Sequence, residues 1–114
     1  MVSRKETKTR ADYSLPRVVE LASRKALAYA TTSAQRDVAN LGYGLEEVCS
    51  CLCDLQDAHF SHSERYRPAG PWHDVYRLEW APPGSEPDCL YVKFRMDGDL
   101  LVIELCSFHL QRFL

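Results

Sequence analysis

The sequence contains no apolar run of the roughly 20 residues that a transmembrane helix requires. Its start, MVSRKETKTR, also lacks the apolar stretch that follows the charged beginning of a secretory signal. Without a signal for export, the five unevenly spaced cysteines predict reduced thiols and not a disulfide framework. These absences predict a soluble cytoplasmic protein with no membrane partner.

A strong excess of basic charge is also missing. The 14 Lys+Arg and 16 Asp+Glu residues give a formal net charge of −2, which removes the simplest argument for a nucleic-acid-binding protein. The charge is uneven, because residues 37–58 contain acidic residues and no basic one. A polyanionic partner is therefore expected near the two ends of the chain. With 114 residues, 46% of them hydrophobic, the chain should form a single globular domain.

Short helices are predicted in the N-terminal half. Residues 1–12 are polar and basic, which predicts a flexible arm ahead of a single domain over residues 13–114. Within that domain, Ser14 is a candidate N-cap for an amphipathic helix that extends to about residue 28. Capping-box spacing at Thr32 and the period of the following apolar residues predict further helices, listed here by their approximate limits: 32–42 and 45–55.

After residue 67 the period changes from that of a helix to that of a strand. Apolar and polar residues alternate over 72–80 and again over 90–96, which predicts two strands. Asp97 and Gly98 have the composition of a two-residue hairpin turn, which is followed by the apolar run 100–105. This half of the chain therefore predicts an antiparallel sheet.

Helices followed by antiparallel strands predict an α+β fold in which the helices pack on one face of the sheet. The other face would carry polar side chains such as Tyr91, Lys93 and Arg95, which a strand places on one side. This pattern could hold a phosphate group. It is also typical of an ordinary solvated strand face.

Metal chemistry has little support in the sequence. Cys49 and Cys53 would share a helix face while Cys51 points elsewhere, so three thiolates could not meet at one metal ion. The four histidines, all in the second half, lack an Asp/Glu pair with metal-ligand spacing. Imidazole titrates near pH ~6.5 and can exchange protons, as RNA cleavage through a 2′-hydroxyl requires. These histidines predict a metal-free acid/base site, unless they are simply surface residues.

The order of these features resembles a known family. The segments that carry the resemblance are a helix over 45–55 and the sequences DAHFSHS (57–63), WHDVYR (72–77), LYVK (90–93) and SFH (107–109). Together they resemble the MqsR (motility quorum-sensing regulator) family of type II toxins, which are mRNA interferases with a RelE-like α+β fold. The resemblance covers most of residues 14–109.

The resemblance also suggests site residues. A functional lysine of the family falls on His62, a glutamine falls on His73, and a strand tyrosine falls on Tyr91. The family's final lysine, in Ser-Phe-Lys, falls on His109, whereas a gap-free count reaches Cys106. Strand alternation favours Cys106 on the Tyr91 face, so His109 could join that face only through a bulge or an end-of-strand bend.

The resemblance implies a toxin that needs no cofactor or metal, cleaves single-stranded mRNA, and has a zinc-binding and DNA-binding antitoxin as its partner. His62 or His73, both expected at the site and outside the core, would take the 2′-hydroxyl proton, and a second histidine would protonate the leaving oxygen. Lys93 and Arg77 would neutralise phosphate charge, while Tyr91 would orient the phosphate or stack on a base. The alternative is a non-catalytic module that only binds RNA or an antitoxin.

Overall fold

The computed structural model describes residues 5–96 and 98–112. Its elements are β1 (Glu6–Lys8), α1 (Leu15–Ser23), β2 (Leu27–Tyr29), α2 (Thr32–Asn40), α3 (Leu45–Cys53), a short 3-10 helix (Asp57–His59), β3 (Phe60–Arg65), β4 (His73–Trp80), β5 (Asp88–Met96) and β6 (Ile103–Leu110). The strands form one six-stranded sheet in the order β1-β3-β4-β5-β6-β2. All neighbouring strands are antiparallel except β2 and β6. The predicted α+β class is confirmed. No helix in the described part of the chain is long and apolar enough to span a membrane.

The first helix begins where it was predicted and ends earlier. The Ser14 side chain caps α1 by accepting a hydrogen bond from the Arg17 backbone N–H at 3.5 Å. The prediction that this helix continues to about residue 28 is wrong, because α1 ends at Ser23 and Lys25 adopts a positive φ of 58°. The chain then forms β2, which pairs with β6. Pairing with this distant strand determines the extended conformation of the segment. The local periodicity of the sequence does not reveal that pairing.

The turns around α2 and α3 follow from local hydrogen bonding. Thr31, one residue before the expected position, caps α2 by accepting the Ala34 N–H at 3.0 Å. Gly42 follows α2 with a φ of 80°, a conformation that glycine adopts without steric cost. Glu47 in the first turn of α3 accepts the Gly44 N–H at 2.7 Å. These contacts position α3 ahead of the sheet strands.

The hairpin of β5 and β6 is present, but its connection is longer than predicted. Met96 pairs with Ile103, so the chain between the strands exceeds the two-residue turn expected at 97–98; Asp97 lies outside the described residues. Leu100 and Leu101 are exposed and precede the strand instead of belonging to it. The register that buries Ile103 and its alternate neighbours determines where β6 begins.

One apolar core joins the helices to the sheet. Its buried members include Val18 and Leu21 of α1, Val48 and Leu52 of α3, and alternate residues of the central strands, which are Tyr76, Leu78, Leu90, Val92, Phe94, Ile103, Leu105 and Phe108. Because strand side chains alternate between faces, the intervening residues of β4 to β6 point away from this core. They form the surface on which the predicted site residues lie.

A strand near the N-terminus was not predicted. Residues 6–8 of β1 pair with β3, and the backbone N–H groups of Asp12 and Tyr13 donate to the buried Asp74 carboxylate at 3.0 to 3.1 Å. Polar contacts and backbone pairing hold this segment, and hydrophobic periodicity does not reveal either of them. The division into an arm and a domain stays a prediction.

Candidate functional site: the polar face of the sheet

Strands β3 to β6 place alternate side chains on one surface, here called the polar face. By strand register these side chains form three rows: Arg77, Tyr91 and His109; His62, Val75, Lys93 and Ser107; and Glu64, His73, Arg95 and Glu104. Lys93 belongs to the middle row. The predicted residues His62, His73, Tyr91 and His109 thus all lie on this face, at different positions along it.

A β-bulge in β6 brings His109 to the polar face. Lys93 pairs with Ser107 and Phe94 pairs with Leu105, so Cys106 is the extra residue of the bulge. The extra residue reverses the alternation of β6 and places His109 directly opposite Tyr91. The sequence required such a bulge if His109 was to join Tyr91, and the structure contains it.

Tyr91 and His109 form the first contact group of the polar face. Their rings stack with centroids 5.0 Å apart and planes inclined by 9°. The Arg77 guanidinium lies 5.2 Å from the Tyr91 ring centre. These residues, with Lys93 and Arg112, line an open cavity of about 350 Å³, here called the smaller cavity. Three cations, an imidazole and a phenol thus surround one volume.

The contacts of His109 settle its neutral tautomer. Its Nδ1 lies 2.7 Å from the Leu110 carbonyl oxygen, which can only accept a hydrogen bond. Nδ1 must therefore carry the proton and donate. In the neutral ring the lone pair is on Nε2, the nitrogen that can take a proton from another molecule.

A second contact group surrounds Glu64, a side chain that is only 4% exposed. Its carboxylate lies 2.7 Å from His62 Nε2 and 3.6 Å from Lys93 Nζ, and it accepts a hydrogen bond from the Tyr66 hydroxyl. Lys93 Nζ also donates to the Tyr66 oxygen at 2.7 Å. We call these four residues the Glu64 cluster.

The Glu64 cluster keeps its carboxylate ionised. Burial acts to raise the pKa of Glu64, but the hydrogen bonds from Tyr66 and His62 and the charges of Lys93 and Lys5 together lower it to about 2. Glu64 therefore holds a fixed negative charge between His62 and Lys93. It orients both side chains.

His73 lies beneath the surface. The side chain is 5% exposed and packs against the Tyr66 ring at 5.2 Å, contrary to the expectation that it lies outside the core. Its Nδ1 is 3.4 Å from the Glu64 carbonyl oxygen and its Nε2 is 3.5 Å from Arg95 Nη1. Burial is the main cause that lowers the pKa of His73, so the ring is neutral at pH 7.

The four predicted residues do not surround one point. Tyr91 touches His109, and His62 touches Glu64, but the rows of His73 and Tyr91 lie four residues apart along the strands, or about 14 Å. Lys93 joins the two groups because it contacts the Glu64 cluster and lines the smaller cavity. In residues 5–96 and 98–112, no group of three or more His, Cys, Asp or Glu side chains is placed to hold a metal ion.

Sequence reasoning missed Glu64 and Tyr66. Glu64 lies two residues after His62, so the spacing of a strand would have placed both on one face. That signal was not used, because residues 60–65 were not predicted to form a strand. Tyr66 follows the end of β3, and only the folded chain shows that its hydroxyl meets Lys93.

The low pKa of Glu64 predicts a pH-dependent stability. The pKa is lowered from 4.5 to about 2, so the ionised group stabilises the fold above pH 4.5 and this contribution is lost as the pH falls toward 2. We expect Glu64→Gln to lower the free energy of unfolding at pH 7 by about 2 kcal/mol, a value discounted for the partly exposed partners. Urea denaturation at pH 7, 4 and 2.5 measures the effect.

The matched control for this prediction is Glu86→Gln, which removes the same charge from an exposed loop position. The difference between wild type and Glu64→Gln should shrink as the pH falls, whereas Glu86→Gln should follow wild type throughout. A constant difference at every pH would contradict the assigned ionisation of Glu64.

Comparison with known proteins identifies the family. A family model described as the motility quorum-sensing regulator, toxin of MqsA, matches residues 10–109. A search of curated proteins finds no match. The matched region contains every strand of the polar face except the last residue of β6. The chain therefore belongs to the MqsR toxin family, and it is the toxin of a toxin–antitoxin system, with an antitoxin as its partner.

Proposed function

We propose that this toxin is an endoribonuclease that cleaves single-stranded mRNA without a metal ion. The observation that carries the proposal is the smaller cavity, where the stacked pair of Tyr91 and His109 faces the cations Arg77, Lys93 and Arg112. A phosphodiester needs cationic groups around its oxygens, and its cleavage by a neighbouring 2′-hydroxyl needs a group that accepts a proton. Both requirements are met by side chains that line one volume.

In the proposed reaction, His109 Nε2 takes the proton of the ribose 2′-hydroxyl. The 2′-oxygen then forms a bond to phosphorus, and the bond from phosphorus to the 5′-oxygen breaks. Lys93 and Arg77 neutralise the negative charge that develops on the phosphate oxygens. Tyr91 holds the His109 ring in place by stacking.

The departing 5′-oxygen must receive a proton. In this scheme it takes that proton from water, because His62 is held by Glu64 at 2.7 Å, is separated from His109 by two strands and does not line the smaller cavity. His73 has no proton-transfer step in this scheme, since it is buried and neutral. It acts by positioning its neighbours.

The experiment is cleavage of an unstructured RNA oligonucleotide by the purified chain in EDTA. We expect products that end in a 2′,3′-cyclic phosphate or its hydrolysed form, and no cleavage of the DNA oligonucleotide of the same sequence, which lacks the attacking hydroxyl. Activity that disappears with chelator and returns with Mg²⁺ would contradict the mechanism. No cleavage of any RNA would favour the alternative, a non-catalytic module that binds RNA or the antitoxin through the same face.

A further inference from the structure

Lys93 occupies a central position on the polar face. It lines both the smaller cavity and a larger one of about 680 Å³, and 17% of its side chain is exposed. In the proposed function this cation neutralises a phosphate of the RNA, which it can do only while its ammonium group stays available. The surroundings of Lys93 Nζ therefore decide how much of its charge the RNA can use.

A buried carboxylate competes for that ammonium group. Lys93 Nζ lies 3.6 Å from Glu64 Oε2, and the Glu64 side chain is ionised at pH 7 because its pKa is lowered to about 2. A direct hydrogen bond between an ammonium and a carboxylate has a length of roughly 2.7–2.9 Å. The two groups thus attract each other but are held apart, beyond the length of such a bond.

The Tyr66 hydroxyl bridges the two charges. It donates to Glu64 Oε2, the same oxygen that faces Lys93, and its own oxygen accepts a hydrogen bond from Lys93 Nζ at 2.7 Å. These roles are fixed, because an ionised carboxylate only accepts and an ammonium only donates. Burial and the hydrogen bond to Glu64 both raise the pKa of Tyr66, so the phenol keeps the proton that it donates. Its hydroxyl takes the place on Oε2 that Lys93 would otherwise occupy.

Packing fixes the position of the Tyr66 ring. The ring meets the His73 imidazole edge-on, with centroids 5.2 Å apart, and Lys93 Nζ lies 5.3 Å from its centre. Because His73 is buried and belongs to β4, the sheet itself supports the ring. The hydroxyl is therefore held at one point by both packing and hydrogen bonding.

We propose that Tyr66 is a positioning residue that keeps Lys93 from forming a direct ion pair with Glu64 and so leaves its charge available to an RNA phosphate. The inference rests on the proposed function, because it assumes an RNA strand across the polar face. Tyr66 acts through Lys93 and need not touch the RNA. Without the hydroxyl, Glu64 Oε2 would lose its donor and the Lys93 ammonium would move onto it.

The test measures the binding of a uridine hexamer that cannot be cleaved because every 2′-hydroxyl is methylated. We expect Tyr66→Phe, which keeps the ring and removes only the hydroxyl, to bind about tenfold more weakly than wild type, the loss typical of one charge-assisted contact. The slope of log Kd against log salt concentration should fall by about 0.7, because one phosphate contact to a single strand is lost. Fluorescence anisotropy over a series of salt concentrations gives both values.

Two backgrounds separate this role from a purely structural one. Glu64→Gln removes the carboxylate that would capture Lys93, so adding Tyr66→Phe to it should change neither the affinity nor the salt slope. Glu79→Gln removes the same charge from an exposed position of β4 outside both cavities, and there Tyr66→Phe should still weaken binding about tenfold. If Tyr66 only supported the fold, its replacement would weaken binding in every background. Thermal unfolding confirms that each variant is folded before affinities are compared.

Unchanged binding by Tyr66→Phe, an equal loss in the Glu64→Gln background, or no binding of the hexamer by wild type would each overturn the inference. Because the hexamer is not cleaved, the result is separate from the nuclease proposal. RNA cleavage by wild type, together with unchanged binding by Tyr66→Phe, would leave the nuclease proposal intact and reject the role of Tyr66. The expected set of affinities in a chain that cleaves no RNA would do the reverse.

Discussion

Replacing His109 with alanine should lower the rate of RNA cleavage by about a hundredfold or more, with little change in stability. Removing a general base typically costs roughly 10²- to 10⁴-fold in rate. His109 is only partly buried and its main ring contact is the stacked Tyr91, so the fold should tolerate its loss. Initial rates on one RNA substrate, measured at matched folded fraction, give the effect.

The control is His59→Ala, which removes an imidazole from the 3-10 helix, away from both cavities. Its rate should remain within about threefold of wild type, far below the loss expected for a general base. Cys106→Ser tests the competing alignment, in which the bulge residue occupies the functional position. If His109→Ala kept full activity while Cys106→Ser lost it, the assignment of His109 to the site would be wrong.

Replacing Asp74 with alanine should lower the free energy of unfolding by about 3 kcal/mol, the largest stability effect that we expect from one substitution. The fully buried carboxylate accepts the N–H groups of Asp12 and Tyr13, and both donors would lose their partner. The loss should also release β1 from β3. Urea denaturation measures the stability, and hydrogen exchange of residues 6–8 reports the release of the strand.

Two further variants separate the causes. Burial raises the pKa of Asp74 in spite of its hydrogen bonds, so Asp74→Asn, which keeps an acceptor oxygen and buries no charge, should cost less than alanine. Asp88→Ala removes a partly exposed carboxylate that accepts one hydrogen bond, from Tyr43, and should cost about 1 kcal/mol. An Asp74→Ala protein as stable as Asp88→Ala would show that Asp74 does not hold the N-terminal segment.

The sequence by itself determined the features that depend on local pattern. The Ser14 cap, the helix 45–53, and the alternation of β4 and β5 follow from residue type and period, because neighbours along the chain produce them. The alternation also predicted that Tyr91, Lys93 and Arg95 would share one face. Their shared face in the structure is where the proposed site lies.

Only the tertiary structure decided which groups meet. The bulge at Cys106 turns His109 toward Tyr91, and the pairing of β3, β4 and β5 brings Lys93 to Glu64, because strand register is chosen by burial over the whole sheet. The burial of His73 has the same origin, since Tyr66 covers it from a segment with no strand pattern. Pairing between distant segments leaves no local period in the sequence. The residue types of the site were therefore predictable, but their contacts and protonation were not.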